Sequence, residues 1–412
     1  MTTQKRALVA IYIISFVLLL QGFTGTTIAY IIDSYSEVPP MSVQQIVSLP
    51  AIFGLIVSFA IGPIAMKINK KYLTIICAVM ILIYFAIFAF VGSNGPLSLL
   101  LFATVFAGIA QGSAMTLASS MVGEFVGAEK SANYVAISLA MMNGGGALIN
   151  IIGGAIAAGN GGANWPQSYY LGALLIPAII AFGFLMPKEP EGAKADAHAA
   201  HEGAGGAQAA PVEKGKLPGR DIAIGVLAIF SSVCICGFLF YISVYIVNEF
   251  KLGTTVEAGL ANSIFTITGL VTGFTYSIWA KLFKKALIVV SFGLVVAALF
   301  CMMTFTTTLF GAFAAALLLG WGFNMMNPYI MGFIMQITPP RLAPVGISIL
   351  MAGANVGMFI AIYVLNFLSG LMGGGLKNVL LICTVGMAIC TVAAFFVYRT
   401  KDAPAQEAAK AA

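Results

Sequence analysis

Polar side chains stand singly near the middle of long apolar runs: Gln21 and Thr24, Gln111, Asn143, Thr268, Asn324 and Asn327, and Asn355. A polar group in such surroundings is unfavourable unless it meets a partner or a watery cavity, so each is a candidate to hold a ligand. Tyr241, Tyr245 and Asn248 recur at i, i+4 and i+7, the spacing that puts three side chains on one helix face. Amides, hydroxyls and phenols bind neutral solutes by hydrogen bonding. No Asp, Glu, Lys, Arg or His sits at the middle of any run. A multiply charged solute would lack a counter-charge there, which disfavours phosphorylated sugars, nucleotides and dicarboxylates. Asp33, Glu124 and Glu249 lie at run ends and are the titratable candidates for gating or proton coupling, against the plainer reading of boundary charges.

The runs that carry these residues are membrane spans. The chain has 412 residues, 60% hydrophobic and 8% charged, against roughly 25% charge in soluble domains. Charge-free windows begin at 7–32 and end at 378–398; three of them (72–123, 131–187 and 286–340) exceed 50 residues and divide at polar breaks. Division gives twelve helices, each near the ~20 residues that cross ~30 Å of hydrocarbon. The expected fold class is an all-α polytopic membrane protein. The 26-residue first run is too long for a signal peptide and reads as span 1.

With twelve spans, every Lys and Arg except Lys251 and Lys377 falls on the side of the N-terminus. That bias predicts both termini in the cytoplasm of a cell enclosed by this plasma membrane. The net charge of +6 is thereby a topology signal, and no nucleic-acid partner is implied.

The chain is also doubled. Lys67, Lys70 and Lys71 recur 214 positions later as Lys281, Lys284 and Lys285, each trio between two apolar runs. Ser42-Val43-Gln44-Gln45 and Thr254-Thr255-Val256-Glu257 both read as capping boxes opening the preceding run. Ile137-Ser138 and Met141 are echoed by Ile347-Ser348 and Met351. The expected organisation is a six-helix bundle over 1–187, a flexible Ala/Gly-rich linker over 188–220, a second bundle over 221–399 and a disordered tail over 400–412. His198 and His201 both fall in the linker and read as solvated. Gly108/Gly112, Gly269/Gly273 and Gly353/Gly357 have the small-xxx-small spacing of close helix packing. The six cysteines lie inside spans and read as small apolar filler, without a disulfide or metal framework.

In this pattern the chain resembles the major facilitator superfamily over its whole length. The stretch Gly62-Pro63-Ile64-Ala65-Met66-Lys67-Ile68-Asn69-Lys70-Lys71 matches the glycine and basic positions of that family's loop between spans 2 and 3. Met66 stands where the family has an acid and Asn69 where it has a second glycine. Gly108-Ile109-Ala110-Gln111-Gly112 matches part of a span 4 motif of proton-coupled members, without its arginine. Gly145, Gly153 and Gly154 match part of the span 5 glycine motif of exporters. The resemblance implies two pseudo-symmetric bundles rocking about a central cavity lined by spans 1, 4, 7 and 10. It thereby singles out Gln21, Gln111, Tyr241 and Asn324, with Lys67, Lys71, Lys281 and Lys285 at the gating loops.

These readings lead to a secondary transporter of a small neutral or amphipathic organic solute, a monocarboxylate included, working as a monomer, with protons as candidate coupling ions. No enzyme chemistry and no cofactor is implied: the water-exposed segments contain no phosphate loop, metal-ligand set or nucleophile–base pair. Export of hydrophobic compounds is the competing transport reading. A non-transporting receptor is disfavoured because the 33-residue linker is too short for an output domain.

Overall fold

The computed structural model describes residues 3–126, 128–187, 219–337 and 343–398. Residues 188–218 of the linker expected from composition, with His198 and His201, and the whole expected tail lie outside the described residues, as do the side chains of Lys67 and Glu124. Gly219 and Arg220, placed in the linker by composition, instead open the helix of span 7. Among the described residues, twelve helices are long and apolar enough to span a membrane. Span 1 is Thr3–Val17 and Thr24–Ser34 joined by a 3₁₀ turn, Leu20–Phe23. Spans 2 to 5 are Pro40–Lys67, Lys70–Val91, Leu97–Val126 and Ala128–Ala157. Span 6 opens with Trp165–Ser168 and closes with Leu175–Leu185. Span 7 is Gly219–Leu239, the short turn Ile242–Val244 and a π-helical turn, Tyr245–Glu249. Spans 8 to 12 are Thr255–Phe283, Leu287–Thr304, Leu309–Ile337, Ala343–Leu371 and Leu376–Val397.

Spans 1–6 enclose one apolar core and spans 7–12 a second. Within each bundle, glycines let backbones touch. A methyl group at Gly108 or Gly112 of span 4 would come within 2.6 and 2.3 Å of the Pro50 and Gly54 carbonyl oxygens of span 2. At Gly353 and Gly357 of span 11 the same holds against Gly225 and Ile229 of span 7, at 2.4 and 2.3 Å. The third pair divides: Gly269 packs on Asn324, whereas Gly273 has open space. Interhelical contacts this close are the reason for small residues in membrane bundles, where van der Waals fit replaces the hydrophobic drive between helices.

Thr254 and Glu257 form the full capping box that opens span 8. Ser42 does not do the same for span 2. That helix starts three residues earlier, with Pro39 instead of Ser42 at the N-cap, because Pro40 presets φ for a first helical position. The basic residues near the termini close helix ends within the first bundle: Arg6 Nη2 donates to the Phe184 carbonyl (2.6 Å) and Lys71 Nζ to that of Met186 (3.0 Å), both at the end of span 6. Cations there offset the negative end of the helix dipole. Lys281 and Lys285 are exposed at the matching end of the second bundle.

The bundles meet where span 5 packs on span 8, span 11 on span 2, and span 7 on span 1. The hydrogen bonds described across this seam lie toward one end, the end away from the termini, called distal below.

Candidate functional site

Spans 1 and 7 hold corresponding places in the two bundles and both are broken, span 1 near its middle and span 7 nearer its distal end. In span 1 the sequence Gln21-Gly22-Phe23-Thr24-Gly25-Thr26-Thr27 combines two glycines with three β-branched residues, all weak helix formers. Leu18 N–H bonds the Ser15 carbonyl and Gly22 N–H that of Leu19, each at 3.3 Å, in the tighter 3₁₀ pattern. In span 7 the helix stops at Leu239, Tyr241 N–H turns back to Phe238 O (3.2 Å), and a π turn follows. The two breaks lie side by side: a methyl group at Gly25 would sit 3.3 Å from the Leu239 carbonyl oxygen.

Gln21 occupies the break in span 1. It is 8% exposed, and its Oε1 is buried with no hydrogen-bond partner. A buried acceptor left alone costs about 1–3 kcal/mol, so this oxygen, like Asn248 Oδ1 at the distal end, gains from an incoming donor. Thr24, one turn on, is committed elsewhere: its hydroxyl bonds those of Tyr84 in span 3 and Tyr169 in span 6, the latter at 3.1 Å, and Tyr169 also meets Thr27 at 2.9 Å. This hydroxyl chain lies among Phe23, Phe85 and Phe88 and welds the distal half of span 1 to its own bundle.

The stripe expected over Tyr241, Tyr245 and Asn248 does not form. The break and the π turn abolish the 3.6-residue repeat on which that reading rests. Tyr241, buried, receives a hydrogen bond from Asn366 Nδ2 of span 11 (3.0 Å), which also reaches Gln44 Oε1 of span 2 across the seam (3.3 Å). Tyr245 turns into its own bundle and donates to the carbonyls of Met302 and Phe305 at 3.0 and 3.2 Å. Asn248 crosses to the first bundle and donates to Asp33 Oδ1 at 2.5 Å. Glu249 is exposed.

The remaining candidates are half-buried on separate helices. Asn324 and Asn355 direct their amides to carbonyls four residues back, Gly320 (2.8 Å) and Met351 (2.9 Å). Thr268 packs on Gly320, next to Asn324 on Gly269. Gln111, Asn143 and Asn327 are half-buried in spans 4, 5 and 10. The structure thus brings Gln21, Thr24 and Tyr241 to the paired breaks, joins Thr268 to Asn324 on spans 8 and 10, and turns Tyr245 away.

Sequence reasoning missed the distal seam. Thr26 is its hub: the hydroxyl accepts from Asn262 Nδ2 of span 8 (2.9 Å) and donates to Asn150 Oδ1 of span 5 (2.8 Å), while its carbonyl accepts from Ser243 of span 7 (2.6 Å). Thr255 and Ser263 of span 8 donate to the Gly154 and Ala147 carbonyls of span 5, both at 2.8 Å. A methyl group at Gly154 or Gly259 would come within 2.4 and 2.1 Å of the opposing Thr255 and Asn150 carbonyl oxygens. All these polar residues are buried. Amides at 150, 262 and 366 and the run of threonines at 24, 26 and 27 were the available signals.

Two six-helix bundles, sealed at one end around paired helix breaks, define a helical membrane transporter fold. A family model described as the Major Facilitator Superfamily matches residues 11–261 and 226–412, and the chain belongs to that family. It is a multi-pass integral membrane protein and a transporter rather than an enzyme. Solved structures agree on the fold. A point mutant of the nucleoside transporter NupG matches with a TM-score of 0.74 at 13% identity, over 95% of this chain and 100% of that one. A bacterial homolog of the human lysosomal transporter Spinster matches at 0.70 and 14%, over 96% and 97%. The proton:xylose symporter XylE matches at 0.66 and 14%, over 96% and 97%. A comparison with curated protein sequences finds no match.

Proposed function

We propose that the protein is a secondary transporter that carries a small neutral or amphipathic organic solute, a monocarboxylate included, by alternating access, and that it works as a monomer in the plasma membrane. The observation that carries the reading is the unpartnered Gln21 oxygen at the side-by-side breaks of spans 1 and 7, in a region of the spans that contains no ionisable charge. Broken helices at mid-membrane are the usual means of presenting polar groups to a solute in such a setting. A donor on the solute satisfies Gln21, and hydroxyls and amides on neighbouring spans complete the shell. With the basic residues facing the cytoplasm, the distal end, where the bundles are hydrogen-bonded together, faces outward. Asp33 and Asn248 close the outer rim across the two bundles, which makes Asp33 the carboxylate best placed to couple protons to opening.

The test is a thermal-shift screen of uncharged, monocarboxylate, phosphorylated and dicarboxylate metabolites, followed by counterflow in vesicles with each stabilising hit. Stabilisation confined to the first two classes, with labelled-solute exchange, is the expected result. A hit carrying two or more charges sinks the solute assignment, and binding without exchange sinks the transporter reading. If Asp33→Asn keeps the wild-type pH dependence of exchange, Asp33 does not couple protons.

A further inference from the structure

A cavity lies away from the seam. It has a volume of about 460 Å³ and is enclosed by spans 1, 5 and 6 of the first bundle. Val17 and Leu20 of span 1 and Ala178 of span 6 form its buried floor, and Gly145 and Ile149 of span 5 line it. Its rim is Met141, Leu148, Ile152 and Leu174, which are 37, 44, 39 and 50% exposed. In a chain whose spans cross a bilayer these rim residues face hydrocarbon, so the cavity is a crevice open to lipid. Apart from one hydroxyl the lining is apolar. Such a space does not hold water, and left empty it would forfeit the dispersion contacts of its whole lining.

The one hydroxyl is placed asymmetrically. Tyr12 lines the crevice, and its phenolic oxygen is buried with no partner. Lys5 and Arg6, at the terminal membrane surface, precede it by two turns. From Tyr12 to Leu20 the crevice follows span 1 for about 12 Å, most of the ~15 Å depth of one leaflet. The slot therefore has a donor at its interfacial end and an apolar bore that stops against the break in span 1.

We propose that this crevice is a binding site for one acyl chain of a membrane phospholipid. The Tyr12 hydroxyl donates to the ester carbonyl at the top of the chain, and the chain lies against Val17, Leu20 and Ala178. Its far end abuts the segment that holds Gln21, so occupancy supports the bend in span 1 from the lipid side.

The experiment uses the full chain in phosphatidylcholine vesicles doped with a phosphatidylcholine that carries a diazirine midway along one acyl chain. After photolysis, adducts are mapped by mass spectrometry. The span 12 face around Val392 and Phe396, exposed at 61 and 64%, reports ordinary annular lipid. The expected result is about tenfold more adduct on the crevice peptides of spans 1, 5 and 6 than on span 12. Ala178→Phe, which fills the bore, brings crevice labelling down to the span 12 level and leaves span 12 unchanged. Tyr12→Phe keeps the volume and removes only the hydroxyl; it lowers crevice labelling about threefold or more, the worth of one hydrogen bond. This second variant decides the matter if Ala178→Phe does not fold. Equal labelling of both faces, or crevice labelling indifferent to both substitutions, overturns the site. Suppression of crevice labelling when a solute that stabilises the protein in the thermal screen is present before photolysis assigns the crevice to the transported molecule and overturns the lipid reading.

Discussion

Gly259→Ala should force the distal seam apart. The added methyl would lie 2.1 Å from the Asn150 carbonyl oxygen of the opposite bundle, about 1.2 Å short of the ~3.3 Å at which carbon and oxygen make their closest contacts. Neither side has a flexible side chain to yield, since both groups are backbone or its direct attachment. Relief requires spans 5 and 8 to separate, which stretches the bonds from Asn262 to Thr26, Thr255 to Gly154 and Ser263 to Ala147, at 2.9, 2.8 and 2.8 Å. At about 1 kcal/mol net for each bond, the closed state loses about 2–3 kcal/mol. That shifts the equilibrium between distal-closed and distal-open forms roughly 30- to 150-fold. Spin labels at Glu37 and Lys251, exposed positions on the distal loops of the two bundles, read the change as a longer distance in pulsed dipolar spectra. Gly146→Ala and Gly273→Ala are the controls, because a methyl at either meets nothing within 4 Å. An unchanged distance distribution in folded Gly259→Ala protein would refute the argument that this seam sets the state of the gate.

Thr26→Val strips the hub of its hydroxyl and leaves the Asn150 and Asn262 amides facing each other without it; thermal unfolding should show a loss of about 2 kcal/mol, and a double-mutant cycle with Asn262→Leu should show strong coupling. Gln21→Leu should abolish stabilisation by any solute hit while leaving the unliganded protein as stable as wild type or more so, since an orphaned acceptor is replaced by an apolar group of similar size; equal solute response in the variant removes Gln21 from the site. Thr254→Ala removes the capping box of span 8 and should lower stability by about 1 kcal/mol in the same unfolding assay. Lys71→Met, which withdraws the cation from the end of span 6, should loosen that end and raise proteolysis near Met186 without altering the distal spin-label distance.

Much of this architecture is written in residue types that report directly on the membrane. Charge-free windows fix the spans because a charge at mid-bilayer is costly, and the glycines at 108, 112, 353 and 357 mark contacts that no larger residue permits. The Thr254 box is local chemistry and forms as its sequence dictates. The Ser42 box fails for an equally local reason, the prolines just before it. The site was less legible because its central feature is a departure from periodicity. Projecting Tyr241, Tyr245 and Asn248 onto a regular helix puts them on one face, whereas the broken span 7 sends them to Asn366, to Met302 and Phe305, and to Asp33. The distal seam escaped for another reason. Asn150, Asn262 and Asn366 look like any amide in a helix, and which of them meet across two bundles depends on long-range docking that a single chain's pattern does not encode.

Three neighbouring threonines divide their loyalties within about one helical turn. Thr24 and Thr27 are tied inward to Tyr84 and Tyr169, while Thr26 is tied across to Asn262 and Ser243. The short stretch that carries them works as a crank: one bundle grips it, the other pulls on it, and Gln21 rides at its lower end. Releasing the distant bundle therefore changes the torque at the buried oxygen that awaits a guest, with no separate relay needed between lock and pocket.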